Sequence, residues 1–549
     1  MRWRVALLSA FGVAWALIGG IPGVASAHAT LVTSTPADES RLAAAPHEVT
    51  LTFDESVSLG ADAARVIAAD GARADTGAIG LAPDGRTVVI PLRPNLPTGS
   101  YAVTWRVVSA DTHVVTGSVV FGVGVDPGAP PPTAPAQPAS VTAADRIVHG
   151  VLYLGLVAGA GTAVVVLALW PSVWRLRRIR WVIGYGWAAI LLGTLATYVV
   201  RAAAAADAGI SQVLSAGVRS SLPHVEHAGT LLARLILTVG LGLTLVIASR
   251  LTAPHRPRAV LPVALISAGI ALTVALDGHA RVGDAAWLAV TSTTVHVAAM
   301  MIWLGGLLTL ALLLARRAQP DRGHHDSLTF DSLRRWSGLA FVTIAALVLT
   351  GEYQAWRQIR PVQSLWSTGY GITLLVKLAL VVAMLGLAVI GRRRLRPDRL
   401  RRTVAIEAVC GIAVVIVTAV LVTEPPARTT FGPTVTVAAP LDGRSAQVTI
   451  TPTRRGPTTI TVDIVGNDGK PVVAQQVHGM LSSATAGVPA LAVKFVPESG
   501  TPATALPGAA ATWRSSATSV PLAGSWTLTL TVQFSAADAL VTAVDYPVW

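Results

Sequence analysis

Eight long apolar stretches divide this chain of 549 residues and leave little freedom in how it can fold. They lie at roughly 147–170, 181–200, 228–249, 259–277, 287–315, 337–356, 371–390 and 404–422. Each approaches the length of about 20 residues that a helix needs to cross a hydrocarbon core, where every backbone N–H and C=O must find a partner within its own segment. The segments between them alternate in charge. Those at 171–180, 250–258, 316–335 and 391–403 hold four, three, five and seven arginines, whereas those at 201–227, 278–286 and 357–370 hold two, one and two. Basic residues accumulate on the cytoplasmic side of membrane proteins, so the arginine-poor loops and both soluble ends are expected outside. The same arginines explain a net charge of +13, and nothing here argues for nucleic acid. Hydrophobic residues at 52% against 13% charged exclude an ordinary soluble globule. Cys410, the single cysteine, sits inside an apolar stretch, so an intramolecular disulfide and a thiolate metal cluster are both excluded.

Outside the membrane the chain has two β-rich regions. Residues 1–27 read as a secretory signal, with Arg2 and Arg4, an apolar run from Val5 to Ile21 and the small-residue motif Ala25-Ser26-Ala27. Cleavage there leaves His28 first, so that its ring nitrogen and a free α-amine can serve one metal ion. Asp111-Thr112-His113 supplies a carboxylate and a second imidazole. Nitrogen and oxygen donors in a roughly planar set suit Cu(II). The amine (pKa about 7.7–8.0) and the imidazole (about 6.5) must lose protons to ligate, so affinity should fall on acidification. Residues 28–125 alternate apolar with polar in Val49–Phe53 and Tyr101–Val107, which predicts a small antiparallel sandwich or barrel. A linker at 126–144 follows, with six prolines between 127 and 140; extended polyproline II gives it a reach of roughly 40 Å. Residues 430–549 show strand periodicity in Thr434–Val437, Thr458–Ile464 and Trp526–Val532, which predicts an immunoglobulin-like sandwich.

Over residues 28–124 the first domain resembles the CopC copper-binding family. The likeness is carried by His28, Ser34-Thr35-Pro36-Ala37, Leu51-Thr52-Phe53-Asp54-Glu55, the run from Trp105 to His113, and Thr116-Gly117-Ser118. It implies Cu(II) ligation by His28, Asp111 and His113, joined by Glu55. The family's methionine-rich Cu(I) site has no counterpart, since 56–100 contains no methionine, and a Cu(II)-only domain is expected. Residues 145–425 are similar to the CopD family, through His296 with Trp303-Leu304-Gly305-Gly306, Arg335-Trp336-Ser337, Thr350-Gly351-Glu352-Tyr353, Tyr370-Gly371 with Lys377, and Glu424-Pro425-Pro426. Such fusions imply copper uptake across the cytoplasmic membrane. The C-terminal region resembles YtkA-like domains through Pro521-Leu522-Ala523-Gly524-Ser525-Trp526.

Within the bundle, His149, His224, His227, His279 and His296 fall at or near the outer side on this topology, and His255, His324 and His325 in cytoplasmic loops. His296 and Met300 are four apart and share a helix face, with Met301 adjacent; imidazole and thioether suit Cu(I). Gly305-Gly306 should permit close helix packing. Arg234, Asp277, Glu352, Lys377 and Glu407 lie in or at the ends of spans. A central charge costs roughly 2.5–3.5 kcal/mol on insertion scales, so Arg234 and Lys377 should pair or line a hydrated path. His478 and Met480 are read as exposed loop residues.

The expected whole is a mixed multidomain protein: an N-terminal all-β sandwich or barrel, an eight-helix transmembrane bundle and a C-terminal β-sandwich. It is expected in the cell membrane with both β-domains extracytoplasmic, capturing Cu(II) outside and passing copper inward without an enzymatic step. No P-loop or other ATP motif is present. Its expected partners are copper ions, the lipid bilayer and an extracytoplasmic copper chaperone or reductant. The alternatives are a haem-containing membrane cupric reductase using His149, His227 and His296, a histidine-brace copper oxygenase, and a copper sensor or sequestering protein without transport.

Overall fold

The computed structural model of the protein describes residues 29, 31–38, 40–68, 72–109, 114–127, 138–206, 208–225, 227–251, 257–278, 280, 285–314, 329–393, 397–485, 488–498, 510–516, 518–520, 522–535 and 537–549. The expected signal segment therefore lies outside the described residues.

The first domain holds eight strands: β1 Leu31–Thr35, β2 Ser40–Leu42, β3 Glu48–Phe53, β4 Val57–Ala68, β5 Gly80–Leu81, β6 Thr87–Pro91, β7 Gly99–Ser109 and β8 Val114–Val123. They form two four-stranded sheets, in the orders β1-β3-β6-β5 and β2-β8-β7-β4. One pair, β2 with β8, is parallel. The period of two does what it predicts on β3: Val49, Leu51 and Phe53 are buried between the sheets while Thr50 and Thr52 are half-exposed. Phe53 meets Trp105 of β7 edge to face, 6.4 Å between ring centroids. A methyl group at Gly117 of β8 would overlap the Trp105 ring, so that glycine makes room for it.

Asp75 anchors the turn beyond β4. Its Oδ2 accepts from Val66 N at 2.9 Å, and its Oδ1 accepts from Arg73 Nε at 2.8 Å and Gly77 N at 2.9 Å. Burial alone would raise this carboxyl, but these donors hold it below its ordinary 3.8. A carboxylate depressed in the folded state contributes stability above its ordinary value and loses it as pH falls through the folded value. Asp75→Asn should therefore cost about 1–3 kcal/mol at neutral pH, the penalty of disturbing buried donors, and should flatten the loss of stability below about pH 4. Acid-unfolding curves of the two proteins check this; superimposable curves would remove Asp75 as an anchor.

Eight helices are long and apolar enough to cross a membrane: Ala139–Leu169, Arg177–Ala205, Ala228–Arg250, Pro257–Ala275, Ala286–Leu314, Phe330–Gln358, Gly369–Val389 and Arg401–Leu421. They are called here the first to the eighth span. The first begins at Ala139, before the apolar run at 147, because Pro138 stands at a helix start that needs no N–H from it. Of its most apolar window 78% is buried, against 11% for the seventh, so the first span is central and the seventh peripheral. Close approach of the first and fifth spans depends on small residues. A methyl group at Gly305 would stand 2.5–2.6 Å from the backbone of Gly161 and Thr162, and one at Gly306 would overlap the Trp336 ring of the sixth span.

After the eighth span a short helix, Ala427–Thr430, leads into the last domain. Its strands are β9 Val435–Leu441, β10 Arg444–Thr451, β11 Gly456–Gly466, β12 Gln476–Ser483, β13 Val488–Pro497, β14 Thr512–Ser515, β15 Thr518–Val520, β16 Gly524–Ser535 and β17 Asp538–Val548. The sandwich takes the form of one nine-stranded sheet, β17-β16-β12-β13-β14-β11-β10-β9 with β15 beside β11. The two ends of that order lie against each other, so the sheet nearly closes. Trp526 is wholly buried at its centre and donates from Nε1 to Leu522 O at 3.0 Å. His478 and Met480 are exposed, but on the outer face of β12 rather than in a loop, because Val477 and Leu481 bury the alternate face.

Candidate functional site

At the N-terminal domain, His28, Asp111 and His113 lie outside the described residues, and their described chain neighbours converge. Ala29 N donates to Ser109 Oγ at 3.2 Å, and Ser109 Oγ donates to Glu55 Oε1 at 2.5 Å. These contacts join segments 80 and 54 positions apart. Ser109 ends β7 and Val114 begins β8, its neighbour in the sheet, so residues 110–113 connect two paired strands. Glu55 follows the end of β3 and is 91% shielded, with 9% of its surface exposed. The edge at which three chain segments meet is thus polar and buried; it holds Glu55, adjoins position 28 and lies at the strand end that leads into residues 110–113.

The second site is a cavity of about 620 Å³ inside the helix bundle. Around its mouth stand Asp145, Gly278, Ala280, Gln358, Tyr370 and Thr423, all at the end of the bundle that carries the arginine-poor loops. Its deepest lining residues, Leu304 and Leu385, sit about 25 Å in from the outer helix ends at 1.5 Å per residue. No lining residue belongs to the arginine-rich loops. His149, His296, Met300, Glu352 and Lys377 line it; Met301 does not, being 2% exposed and packed in the bundle core.

Local bonds orient the two histidines. His149 Nδ1 stands 2.9 Å from Asp145 O and 3.2 Å from Asp145 Oδ1, one turn earlier on the same helix. His296 Nδ1 lies 2.9 Å from Thr350 Oγ1 of the sixth span. The single hydroxyl proton of Thr350 is committed to Ala346 O at 2.6 Å, so Thr350 Oγ1 accepts and His296 Nδ1–H donates. The neutral ring then carries its lone pair on Nε2, which is how a metal-ligating histidine is commonly set up.

Charged residues near the mouth are paired. Asp277 accepts from Arg201 Nη1 at 2.6 Å and from Arg234 Nη2 at 2.8 Å, and Arg234 also donates to Thr273 Oγ1 and Thr273 O. Arg146 Nη2 donates to Glu424 Oε1 at 2.6 Å, tying the first span to the exit of the eighth. Arg234 therefore both pairs and lines the cavity, and Lys377 lines it as well. Arg201, Asp145 and Arg146 were not singled out from the sequence, and Thr350 entered only within a family motif. The i, i+4 spacing of Asp145 and His149 was the available signal; Arg201 falls one residue past the expected end of its span and Arg146 one before the expected start of its own. His279 lies outside the described residues, and His227 caps the third span with a left-handed backbone. Among the described residues no group of three or more His, Cys, Asp or Glu side chains is spaced to hold a metal ion.

The fold and the cavity define a polytopic membrane protein with a β-domain on each side of its helix bundle in sequence and both at one end of it in space. Residues 31–124 match the CopC domain family and residues 330–421 match Copper resistance protein D. The chain is 38% identical over 109 residues to Copper resistance protein C of Pseudomonas syringae pv. tomato, covering 19% of this chain and 86% of that protein. It is 29% identical over 472 residues to Copper transport protein CutJ of Bacillus subtilis (strain 168), covering 82% of this chain and 84% of the relative. A solved structure, CopC from Methylosinus trichosporium OB3b, matches 18% of this chain and 95% of its own at 33% identity, with a TM-score of 0.16. The chain belongs to the CopC copper-resistance family and carries a CopC domain and a CopD domain in one polypeptide.

Proposed function

We propose that this protein imports copper: the N-terminal domain captures Cu(II) outside the cell membrane and the helix bundle passes copper inward as cargo. The observation that carries this reading is the cavity. It opens at the end of the bundle where the short helix Ala216–Ser221 lies against β4 of the CopC domain, and it leads down to His296 and Met300. The amine, imidazole and carboxylate set of His28, Asp111 and His113, with Glu55 beside it, suits Cu(II), while imidazole and thioether suit Cu(I). Transfer between them requires one electron per ion from an extracytoplasmic reductant. The role is that of a carrier, with both β-domains extracytoplasmic, and the copper transport named for the Bacillus relative supports it.

Copper accumulation in cells with and without the full-length protein tests the reading, alongside His28→Ala. Accumulation should rise several-fold and return toward background in the variant. Lower accumulation with the intact protein would mean export or external sequestration, and the import reading would fall.

A further inference from the structure

Two adjacent arginines of the C-terminal domain reach in different directions from one loop. Residues 452–455 close the hairpin between β10 and β11. Arg454 Nη1 donates to Thr430 O at 2.9 Å, in the short helix that follows the eighth span. Arg455 Nη1 donates to Asp54 Oδ2 of the CopC domain at 3.1 Å, across 401 positions of sequence. The loop is also fastened to the chain end: Arg455 N donates to Trp549 O, Trp549 N donates to Thr453 O, and Trp549 meets Phe431 edge to face at 5.5 Å. One loop therefore joins the exit of the bundle, the last strand and the N-terminal domain.

The place it touches matters. Asp54 stands next to Glu55, the side chain on which Ser109 and, through it, Ala29 converge. The Arg455–Asp54 side chains keep only 18% and 15% of their exposure, so salt screens them less than an open surface pair. The CopC domain also lies against the short helix Ala216–Ser221 through β4. A proline-rich linker with a reach of roughly 40 Å would leave an undocked domain free in orientation. The same linker keeps the domain at an effective concentration in the millimolar range, where a small contact is enough to hold it.

We infer that the loop at 452–455 is a latch: through the Arg455–Asp54 ion pair the C-terminal domain docks the CopC domain at the outer end of the bundle and fixes its orientation for delivery. The docking half stands on the contacts alone; the delivery half rests on the import reading.

The test uses the full-length protein in lipid nanodiscs, with spin labels on cysteines at exposed Ala78 and Ala438 in a Cys410→Ala background. A single narrow distance distribution is expected, broadened and lengthened by Arg455→Asp and restored when Asp54→Arg is added. Arg455→Lys, which keeps the charge but loses the planar fork, should broaden it partway and decides the matter if the reversal does not fold. Copper uptake should fall several-fold in Arg455→Asp and recover in the double reversal, with the Cu(II) affinity of Arg455→Asp unchanged. A narrow distribution that survives Arg455→Asp, a double reversal that fails to restore it, or undiminished uptake with a broadened distribution overturns the latch. A parent protein that takes up no copper would sink the import reading instead, and the distances would still decide docking.

Discussion

Asp277→Ala is expected to destabilise the helix bundle by about 3–5 kcal/mol, the cost of removing one partner from a buried ion pair. Asp277 is the shared acceptor of Arg201 and Arg234, at 2.6 and 2.8 Å. Without it two guanidinium groups would face each other at the top of the bundle with only Thr273 left to accept from Arg234. Arg234 is 1% exposed, whereas Arg201 keeps 14% of its side-chain surface and is more readily hydrated from the cavity that both line. The penalty should therefore come mainly from Arg234. This gives the prediction an internal control: adding Arg234→Met to Asp277→Ala should recover much of the loss, because replacing a whole buried pair by apolar groups is often close to neutral. Thermal unfolding of the purified protein in nanodiscs reads both, with a drop of roughly 10 °C for the single variant. An unchanged melting temperature would show that the network does not hold the second, third and fourth spans together.

The need for such a partner was legible in the sequence, but its identity was not. An arginine in the middle of an apolar stretch must be neutralised wherever it lies. That Asp277 does this, together with Arg201, depends on how the second, third and fourth spans pack, 76 and 43 positions apart in sequence. The spans themselves were visible because a bilayer imposes length and polarity on any segment that crosses it. The strands were visible because Val49, Leu51 and Phe53 alternate with threonines, and the same alternation buries Trp526, Leu528, Leu530 and Val532. A period of two assigns faces, not neighbours, so it could not announce that β9 to β17 form one nearly closed sheet. It also hid β12, where Gly479 between His478 and Met480 weakened the strand signal that Val477 and Leu481 carry. At the copper edge the motifs identified the residue types, while the contacts among Glu55, Ser109 and Ala29 needed the fold. The Arg455–Asp54 pair, 401 positions apart, left no trace in any local pattern.

His296→Ala is expected to reduce copper uptake to background while leaving Cu(II) binding at the N-terminal domain intact. His296 lies ten residues into the fifth span, about 15 Å below its outer end. Met300 stands one turn deeper on the same helix and lines the same cavity, so the two present an imidazole and a thioether in succession along the path inward. Removing the ring leaves one weak thioether donor where a borderline ligand led, and Met301, packed in the core, cannot take its place. The Thr350 hydroxyl separates a ligand role from simple packing. Because Thr350 gives its proton to Ala346 O and accepts from His296 Nδ1, Thr350→Val keeps the ring and its volume but releases its orientation. Loss of such a supporting bond typically costs about 10–100-fold in metal affinity, so Thr350→Val should impair uptake while preserving thermal stability far better than Asp277→Ala. A ring that served only to fill space would respond the other way, tolerating Thr350→Val and losing stability in His296→Ala. Normal uptake by His296→Ala would remove the relay through this cavity altogether, leaving the CopC domain as a copper binder attached to a bundle with another task.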